Sequence, residues 1–341
     1  MRSPSSPLDL TRAARIVVDD FQAAPCAVVA AAWRIGDEFV HGLGAYGSLS
    51  NEENAPLATA ETPFDLASVT KPITSLTLAR LARRGVVFRD EPIARVLPAL
   101  SKTDSARVTL DLLAAHRAGL EAHGGLYTPL VHGADSIDLD EALLQAANMR
   151  HSPCPDELPA TGFVPVYSDL GYLLLGAALA ARTQLALDEL MAQEVVRPLG
   201  LQLGSARQLR ERDPSFDDRV APTEIVPFRG GLVRGAVHDE NAWAYARDGA
   251  AGHAGFFGTA ADVARLGVAI LDALANRRAD WLTSNDLEPL VRVRAGGSLR
   301  AGFDGRSGDA PSSGSRLGPR TFGHLGFTGT SLWIDPDTEF V

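Results

Sequence analysis

The chain opens with apolar residues at helical spacing and then changes to a strand pattern. The helical spacing predicts a helix from Leu8 to Phe21, with apolar positions Leu10, Ala14, Val17, Val18 and Phe21. A short apolar run follows at Ala27–Trp33, and Glu38–Leu43 alternates between apolar and polar residues after a turn at 35–37. This succession is typical of an antiparallel hairpin.

The middle of the chain is mostly helical in pattern, and strand signals return near its end. From about residue 68 to residue 265, apolar spacing predicts helices that include Ser68–Arg84, Leu110–Ala115, Leu139–Met149 and Tyr172–Arg182, and a further helix covers Ala260–Ala275. The segment 295–320 is rich in Gly, Ser and Arg and predicts a long mobile loop. Strands are predicted at Ser331–Ile334 and, after a turn, from Glu339. We therefore expect one sheet built from both ends of the chain, with a helical lobe inserted.

Composition excludes several classes of protein. With 341 residues, 45% of them hydrophobic and 22% charged, the chain has the make-up of a folded globular protein. A net charge of −10 disfavours binding to nucleic acid or to an anionic membrane, so a small-molecule or peptide substrate is expected. No apolar stretch suits a membrane span or a signal-peptide core, which predicts a cytoplasmic location and leaves a periplasmic or secreted one open if the N-terminus was trimmed. Cys26 and Cys154 form neither a disulfide framework nor a zinc motif.

The most informative segment is Ser68-Val-Thr-Lys71-Pro72. Proline is tolerated in the first turn of a helix, so Pro72 places the helix start close to Ser68. Residues i and i+3 share a face, which brings the Lys71 amine beside the Ser68 hydroxyl. A lysine can activate a serine only if burial or a nearby cation lowers its pKa far enough to populate the neutral amine. Taken alone, the same spacing also fits a surface helix start with a solvated lysine.

Two further segments carry polar groups next to predicted elements. Tyr167-Ser-Asp169 precedes an apolar helix, where Asp169 would also serve as an ordinary cap and Tyr167 as a half-buried aromatic. His324-Leu-Gly326-Phe327 leads into the last strand, and glycine in a strand lets a substrate approach the backbone closely. The GxGxxG run at 42–47 lacks the following helix that a dinucleotide site needs, and GxSxG, HExxH and P-loop motifs are absent from the sequence.

The ordered trio of SxxK, Tyr-x-Asp and His-x-Gly resembles the β-lactamase and penicillin-binding protein superfamily, in particular its class C β-lactamase, DD-peptidase and esterase branch. That family reads SxxK, YxN and [KH][TS]G, and the segments Leu112–Leu120 and Gly249–Leu266 are also similar to it. The resemblance implies an α/β (α+β) fold in which an antiparallel sheet is flanked by helices. The sheet lobe would comprise 1–67 and 261–341, and the helical lobe 68–260.

The resemblance also implies roles for individual residues. Ser68 would be acylated by an ester or amide substrate, and Lys71 and Tyr167 would exchange protons with the attacking and leaving groups. Asp169, His324 and Gly326 would contact the substrate, and the backbone N–H groups of Ser68 and Phe327 would hold the oxyanion. No cofactor or metal is implied.

Three departures from the family pattern qualify these expectations. Asp169 replaces the usual Asn, exchanging an amide donor for an acceptor that would hold Lys71 positive, and Leu325 replaces Thr or Ser and removes a hydroxyl. Relatives continue past the Trp-Ile-Asp-Pro strand, so we expect Val341 to be a truncation point whose missing strand belongs beside the N-terminal hairpin. β-Lactamase, D-alanyl peptidase and esterase activities therefore all stay open.

Two rival hypotheses accompany the serine hydrolase. One is a catalytically silent member of the same superfamily that binds ligands without turnover. The other is a metal-dependent hydrolase built on His238 and Asp239, with His253 nearby. It is disfavoured because adjacent side chains point in different directions, although His238, Asp239 or His253 would also suit a pocket wall.

Overall fold

The chain folds into short sheets and many helices in a computed structural model that describes residues 7–155 and 157–341. The strands are β1 Leu8–Asp9, β2 Cys26–Ile35, β3 Glu38–Gly47, β4 Phe64–Asp65, β5 Gly204–Ser205, β6 Ile225–Val226, β7 Gly231–Leu232, β8 Phe256–Gly258, β9 Asp304–Gly305, β10 Phe322–Leu325 and β11 Ser331–Ile334. The α-helices are α1 Thr11–Arg15, α2 Thr70–Arg83, α3 Ile93–Val96, α4 Leu110–Ala114, α5 Thr128–Val131, α6 Leu139–Asn148, α7 Asp169–Thr183, α8 Leu187–Met191, α9 Ala206–Arg212, α10 Phe216–Arg219, α11 Glu240–Ala246, α12 Ala260–Leu274 and α13 Ser284–Val291.

The two ends of the chain form two three-stranded sheets, β1-β3-β2 and β11-β10-β9, which isolated bridges at Phe340 link where the sequence predicts a single sheet. β2 and β3 pair antiparallel through a tight turn in which Gly36 has a φ of 62°. β10 lies between β9 and β11, again antiparallel. Val341 exchanges two backbone hydrogen bonds with Ala32 of β2, and Phe340 pairs back onto Asp335 just beyond β11. The last residues therefore connect the N-terminal hairpin to the C-terminal strands.

A continuous apolar core runs through the helices and up to the sheet. Helix α2 is buried along almost its whole length and packs against α7, α8 and α13, while α12 covers β2 and β11. Ile73 of α2, Leu174 of α7, Ile270 of α12 and Ile334 of β11 all belong to the same buried cluster. Because this core is shared, the division into lobes at 67/68 and 260/261 stays a prediction.

The N-terminal helix is shorter than its periodicity predicts. Leu8 and Asp9 pair with Gly42 and Leu43 of β3, so the helix begins only at Thr11, and a wider π-type turn continues it from Ile16 to Asp20. The crossing also explains the glycine-rich run in β3, since a Cβ on Gly44 would lie 2.1 Å from the backbone of Leu10. The GxGxxG pattern thus serves chain packing.

The prediction of a long mobile loop over 295–320 is wrong in its first part. β9 pairs with β10, and the Phe303 ring is buried edge-on against Phe322 at 5.1 Å. The buried Arg300 guanidinium bonds the Val291 carbonyl. A few anchoring side chains among small and polar residues leave no periodic signal, which is why the sequence pattern missed them.

Within the described residues, no single helix combines the length and apolar character needed to cross a bilayer. Helix α7 and the helical segment Leu187–Val196 meet that test only as a pair bent by 81°. Most of α7 is buried in the core described above, which is what a core helix of a folded domain shows.

Candidate active site

Ser68 lies in a 3₁₀ turn at Ala67–Val69, immediately before α2, as Pro72 predicts. The turn is fixed by the buried carboxylate of Asp65, which accepts the N–H groups of Ala67 at 2.8 Å and of His238 at 2.7 Å. Burial raises the pKa of this carboxyl to about 6. Ala67 takes a left-handed φ of 45°, an uncommon conformation for a residue with a Cβ that recurs at functional turns.

Lys71 is fully buried (0% exposed) and its amine has three acceptors. Nζ lies 2.8 Å from Ser68 Oγ, 2.7 Å from Asp169 Oδ1 and 3.3 Å from the His253 carbonyl oxygen. Burial acts to lower the pKa of Lys71, but the Asp169 carboxylate and Tyr167 together outweigh it and hold this pKa above its ordinary value. The downward shift that a neutral lysine base requires is therefore absent, because Asp169 occupies the position where Asn is usual.

Asp169 is not the helix cap that the sequence also allowed. Ser168 caps α7, accepting the N–H of Gly171 at 3.1 Å and donating its hydroxyl to the Glu121 carbonyl at 2.6 Å. Asp169 is the first residue of α7, and its carboxylate turns inward to Lys71. Burial works against this charge, but the ammonium keeps the pKa of Asp169 well below its usual range.

Tyr167 covers the Ser68–Lys71 pair. The Lys71 ammonium lies 4.7 Å from the centre of the Tyr167 ring, and the ring stacks on His116 with centroids 4.7 Å apart. Burial raises the pKa of the phenol, while Lys71 and the Ser68 hydroxyl act in the opposite direction. Folding thus brings Ser68, Lys71 and Tyr167 into one cluster, as the sequence predicts.

The strand end after β10 forms the wall beside Ser68. Thr328 and Thr330 donate their hydroxyls to the carbonyls of Asp65 and Leu66, at 2.7 and 3.0 Å. A Cβ on Gly326 would lie 2.7 Å from the Leu66 oxygen, so only glycine allows this approach. In the described part of the chain, neither the Ser68 N–H nor the Phe327 N–H has a hydrogen-bond acceptor. Two unpaired donors, one in the Ser68 turn and one in the segment that contacts it, are what an oxyanion site requires.

This arrangement matches a known family. The sequence model of the β-lactamase family fits residues 17–341. The chain belongs to the β-lactamase family. It is 27% identical over 301 residues to a putative D-alanyl-D-alanine carboxypeptidase of Escherichia coli K12, covering 82% of this chain and 67% of the relative. It is 29% identical over 320 residues to an N-acetylmuramyl-L-alanine amidase of Bacillus subtilis, covering 86% of this chain and 70% of the relative.

A solved structure shows the same fold. EstCE1, a hydrolase with promiscuous acyltransferase activity, superposes with a TM-score of 0.70 at 20% identity, covering 97% of this chain and 90% of that one. The β-lactamase-family fold, with helices around antiparallel strands, is therefore confirmed. The family and its carboxypeptidase and amidase relatives identify the protein as a serine hydrolase.

Sequence reasoning missed His123, gave His116 no role of its own, and named His253 only as a candidate for the pocket wall. The half-exposed His123 faces Asp169, with Nδ1 3.6 Å from Oδ2. The buried His253 donates from Nε2 to Asp239 at 2.8 Å, and its own backbone carbonyl accepts a hydrogen bond from the Lys71 amine. His116, stacked on Tyr167, is kept neutral because burial and Lys71 hold its pKa well below the usual value. These histidines lie far from Ser68 in sequence, so spacing gives no sign of them.

The metal-dependent hydrolase hypothesis named His238 and Asp239, but the two side chains point to different partners. His238 turns to Thr223 and stacks on Phe327, whereas Asp239 turns to His253. A different set, His123, Asp169 and Asp239, does bring possible ligand atoms within 4.8 Å of one another.

The hydrogen bonds around His123 do not suit metal binding. The Asn241 amide accepts the Tyr127 N–H at 3.2 Å and donates to the Gly124 carbonyl at 2.6 Å, which fixes its orientation. Its NH₂ group lies 3.2 Å from His123 Nε2 and 3.5 Å from His123 Nδ1. Asp169 raises the pKa of His123, which favours a protonated ring over the neutral imidazole that a metal ligand requires.

Proposed function

We propose that Ser68 is the nucleophile of an ester or amide hydrolase that works through an acyl-enzyme. The observation that carries this proposal is the buried chain from Asp169 through Lys71 to the Ser68 hydroxyl, covered by Tyr167. A serine needs an adjacent group to take its proton and a donor pair to hold the oxyanion. Both sets of groups lie around Ser68.

The direction of the hydrogen bonds points to Tyr167 as the proton acceptor. An ammonium has three N–H donors, and those of Lys71 go to Ser68, Asp169 and the His253 carbonyl. Because Lys71 donates to Ser68 Oγ, the hydroxyl proton of Ser68 is free to point at the phenol. In the deprotonated state of the Lys71–Tyr167 pair, the ammonium stabilises a phenolate that can receive this proton.

The reaction then proceeds in two balanced halves. Ser68 Oγ bonds to the substrate carbonyl carbon as its proton passes to the Tyr167 phenolate, and the N–H groups of Ser68 and Phe327 hold the oxyanion. The carbon–heteroatom bond breaks as Tyr167 returns the proton to the leaving alcohol or amine. In the second half, Tyr167 takes a proton from water as the water oxygen bonds to the acyl carbon. The bond between this carbon and Ser68 Oγ then breaks, Tyr167 returns the proton to Ser68 Oγ, and the acid is released.

A fluorophosphonate probe tests this proposal. Intact-mass and peptide mass spectrometry of the treated protein should show one adduct, on Ser68, and Ser68→Ala should show none. Ser75→Ala is the matched control, because Ser75 lies two turns further along α2 and bonds Tyr172 instead. Its labelling should persist. A folded wild-type chain that stays unlabelled would favour the catalytically silent alternative.

A further inference from the structure

The leaving group must contact the wall formed by His324 and Leu325. In the proposed reaction, Tyr167 delivers the proton to the leaving heteroatom, so that atom lies beside the phenol. The Tyr167 ring is 5.9 Å from the His324 ring and 4.7 Å from the His116 ring. β9 pairs only with Phe322 and Gly323, which leaves the edge of β10 open at His324 and Leu325. Whatever departs from the acyl carbon is in contact with this open edge.

The basic groups at this edge cannot pair with a carboxylate. His324 is buried, and burial and the nearby Lys71 ammonium lower its pKa to about 3, so the ring is neutral. Its Nδ1 lies 2.6 Å from the Leu325 carbonyl oxygen, which can only accept. Nδ1 therefore carries the proton, and Nε2 is left as a lone pair that repels an anion. All three donors of the Lys71 ammonium are already engaged inside the protein.

The guanidinium of Arg229, which bonds the His238 carbonyl, is also partly engaged. Arg229 donates to the carbonyls of Val237 and His238 at 2.8 and 3.0 Å, and it lies over the Trp243 ring. Arg229 is half-buried behind His238. Within the described residues, its hydrogen bonds and its ring contact do not involve β10. A carboxylate placed against His324 and Leu325 would thus lose water without gaining a cation from this wall, which is unfavourable.

The side chains that the wall does present are apolar. Leu325 is 47% exposed and Phe327 is 82% exposed, and the Phe327 ring stacks on His238 at 5.5 Å. Large apolar side chains left in water beside a reaction centre gain by covering an apolar ligand. They also lie directly on either side of Gly326, the residue in contact with the Ser68 turn.

We propose that this enzyme is selective for substrates whose leaving group is uncharged and apolar, such as esters of neutral alcohols or amides of neutral amines, and discriminates against leaving groups that carry a free carboxylate. This inference rests on the proposed function, because it uses Tyr167 as the group that protonates the leaving atom. The proposed selectivity would distinguish the substrates of this protein from those of enzymes whose leaving group is a free amino acid.

A matched pair of esters tests the selectivity. Benzoylglycyl esters of lactic acid and of methyl lactate share the acyl group and differ in one carboxylate on the leaving side. We expect kcat/KM to be higher for the methyl lactate ester by about tenfold or more, the equivalent of a single lost ion pair. Leu325→Lys should reverse the preference by adding an ammonium to the wall, whereas the uncharged Leu325→Met should keep the wild-type order.

The outcomes separate the two proposals. If Ser68 is labelled by the fluorophosphonate but both esters are hydrolysed equally well, the leaving-group proposal is wrong and the serine mechanism stands. If a preference for the lactic acid ester disappears in Arg229→Ala, the proposal is also wrong, and the half-buried guanidinium is the carboxylate anchor. If Ser68 is not labelled and neither ester is hydrolysed, the proposed function itself is wrong.

Discussion

Replacing Asp169 by Asn tests whether the carboxylate controls the protonation state of the site. The Asp169 carboxylate lies 2.7 Å from the fully buried Lys71 ammonium. At an effective dielectric constant of about 20, two unit charges at this distance attract by about 6 kcal/mol. Desolvation of both groups offsets part of this, and removing one partner of a buried pair typically costs about 3–5 kcal/mol. Since the Asn carbonyl can still accept from Lys71, we expect a destabilisation of about 3 kcal/mol at neutral pH.

The pH dependence has a definite sign. In the wild type, Asp169 raises the pKa of Lys71, so its stabilisation is present below the pKa of a solvated lysine and is lost as pH rises through the folded-state pKa. In Asp169→Asn, burial is opposed mainly by Tyr167, so the pKa of Lys71 should fall below its wild-type value and, where burial dominates, below that of a solvated lysine. The unfolded chain then binds more protons than the folded one, and stability should rise between neutral and alkaline pH. Urea unfolding at several pH values from about 6 to 10 measures both trends.

Activity should follow the same titration. The proposed mechanism needs the Lys71–Tyr167 pair to lose one proton, and both pKa values are raised in the wild type. We expect kcat/KM to increase as the pH rises into the alkaline range. In Asp169→Asn, this increase should occur closer to neutral pH. Asp188→Asn is the control, since it removes a buried carboxylate paired with Arg207 away from Lys71. An unchanged pH profile in Asp169→Asn, or an equal shift in the control, would refute the reasoning.

Three other substitutions follow from the site geometry. Tyr167→Phe removes the proposed acceptor and should lower kcat/KM by about 10²-fold or more with the same urea midpoint, as measured by ester hydrolysis; retention of full activity would exclude Tyr167 as the base. Gly326→Ala places a Cβ 2.7 Å from the Leu66 oxygen and should both destabilise the fold by about 1–3 kcal/mol and reduce fluorophosphonate labelling. Gly252→Ala places a Cβ 1.9 Å from the Tyr172 carbonyl oxygen, so it should lower the thermal midpoint and displace the neighbouring His253 carbonyl. Fluorophosphonate labelling of this variant at the wild-type rate would contradict the expected displacement.

The sequence predicted the parts of the fold that depend on periodicity. The β2–β3 hairpin and helices α2, α4, α6, α7 and α12 lie close to their predicted positions, because long apolar patterns constrain both type and location. The N-terminal helix start failed because β3 pairs with Leu8 and Asp9, a tertiary contact that local pattern does not contain. The 295–320 segment failed for the same reason at Phe303.

Within the site, motif spacing predicted which residues would meet but not their charge states. Ser68 and Lys71 are close because they are three residues apart at a helix start, and Tyr167 and His324 were added through the family resemblance. The protonation of Lys71 depends on Asp169, a partner 98 positions away, and on the His253 carbonyl, 182 positions away. A sequence pattern that identifies a serine–lysine pair therefore does not establish which member of the cluster accepts the proton.

The site also shows why a family motif can persist while the chemistry around it changes. The Ser68 turn is held by the Asp65 carboxylate and by the hydroxyls of Thr328 and Thr330, which donate to the carbonyls of Asp65 and Leu66. These contacts depend on Asp65, Thr328, Thr330 and the close approach at Gly326. Asp169 and Leu325 lie outside that framework, so they can differ from the usual Asn and Thr without displacing the nucleophile. Their side chains then determine the charge on Lys71 and the polarity of the leaving-group wall, which are the two properties that the proposed experiments measure.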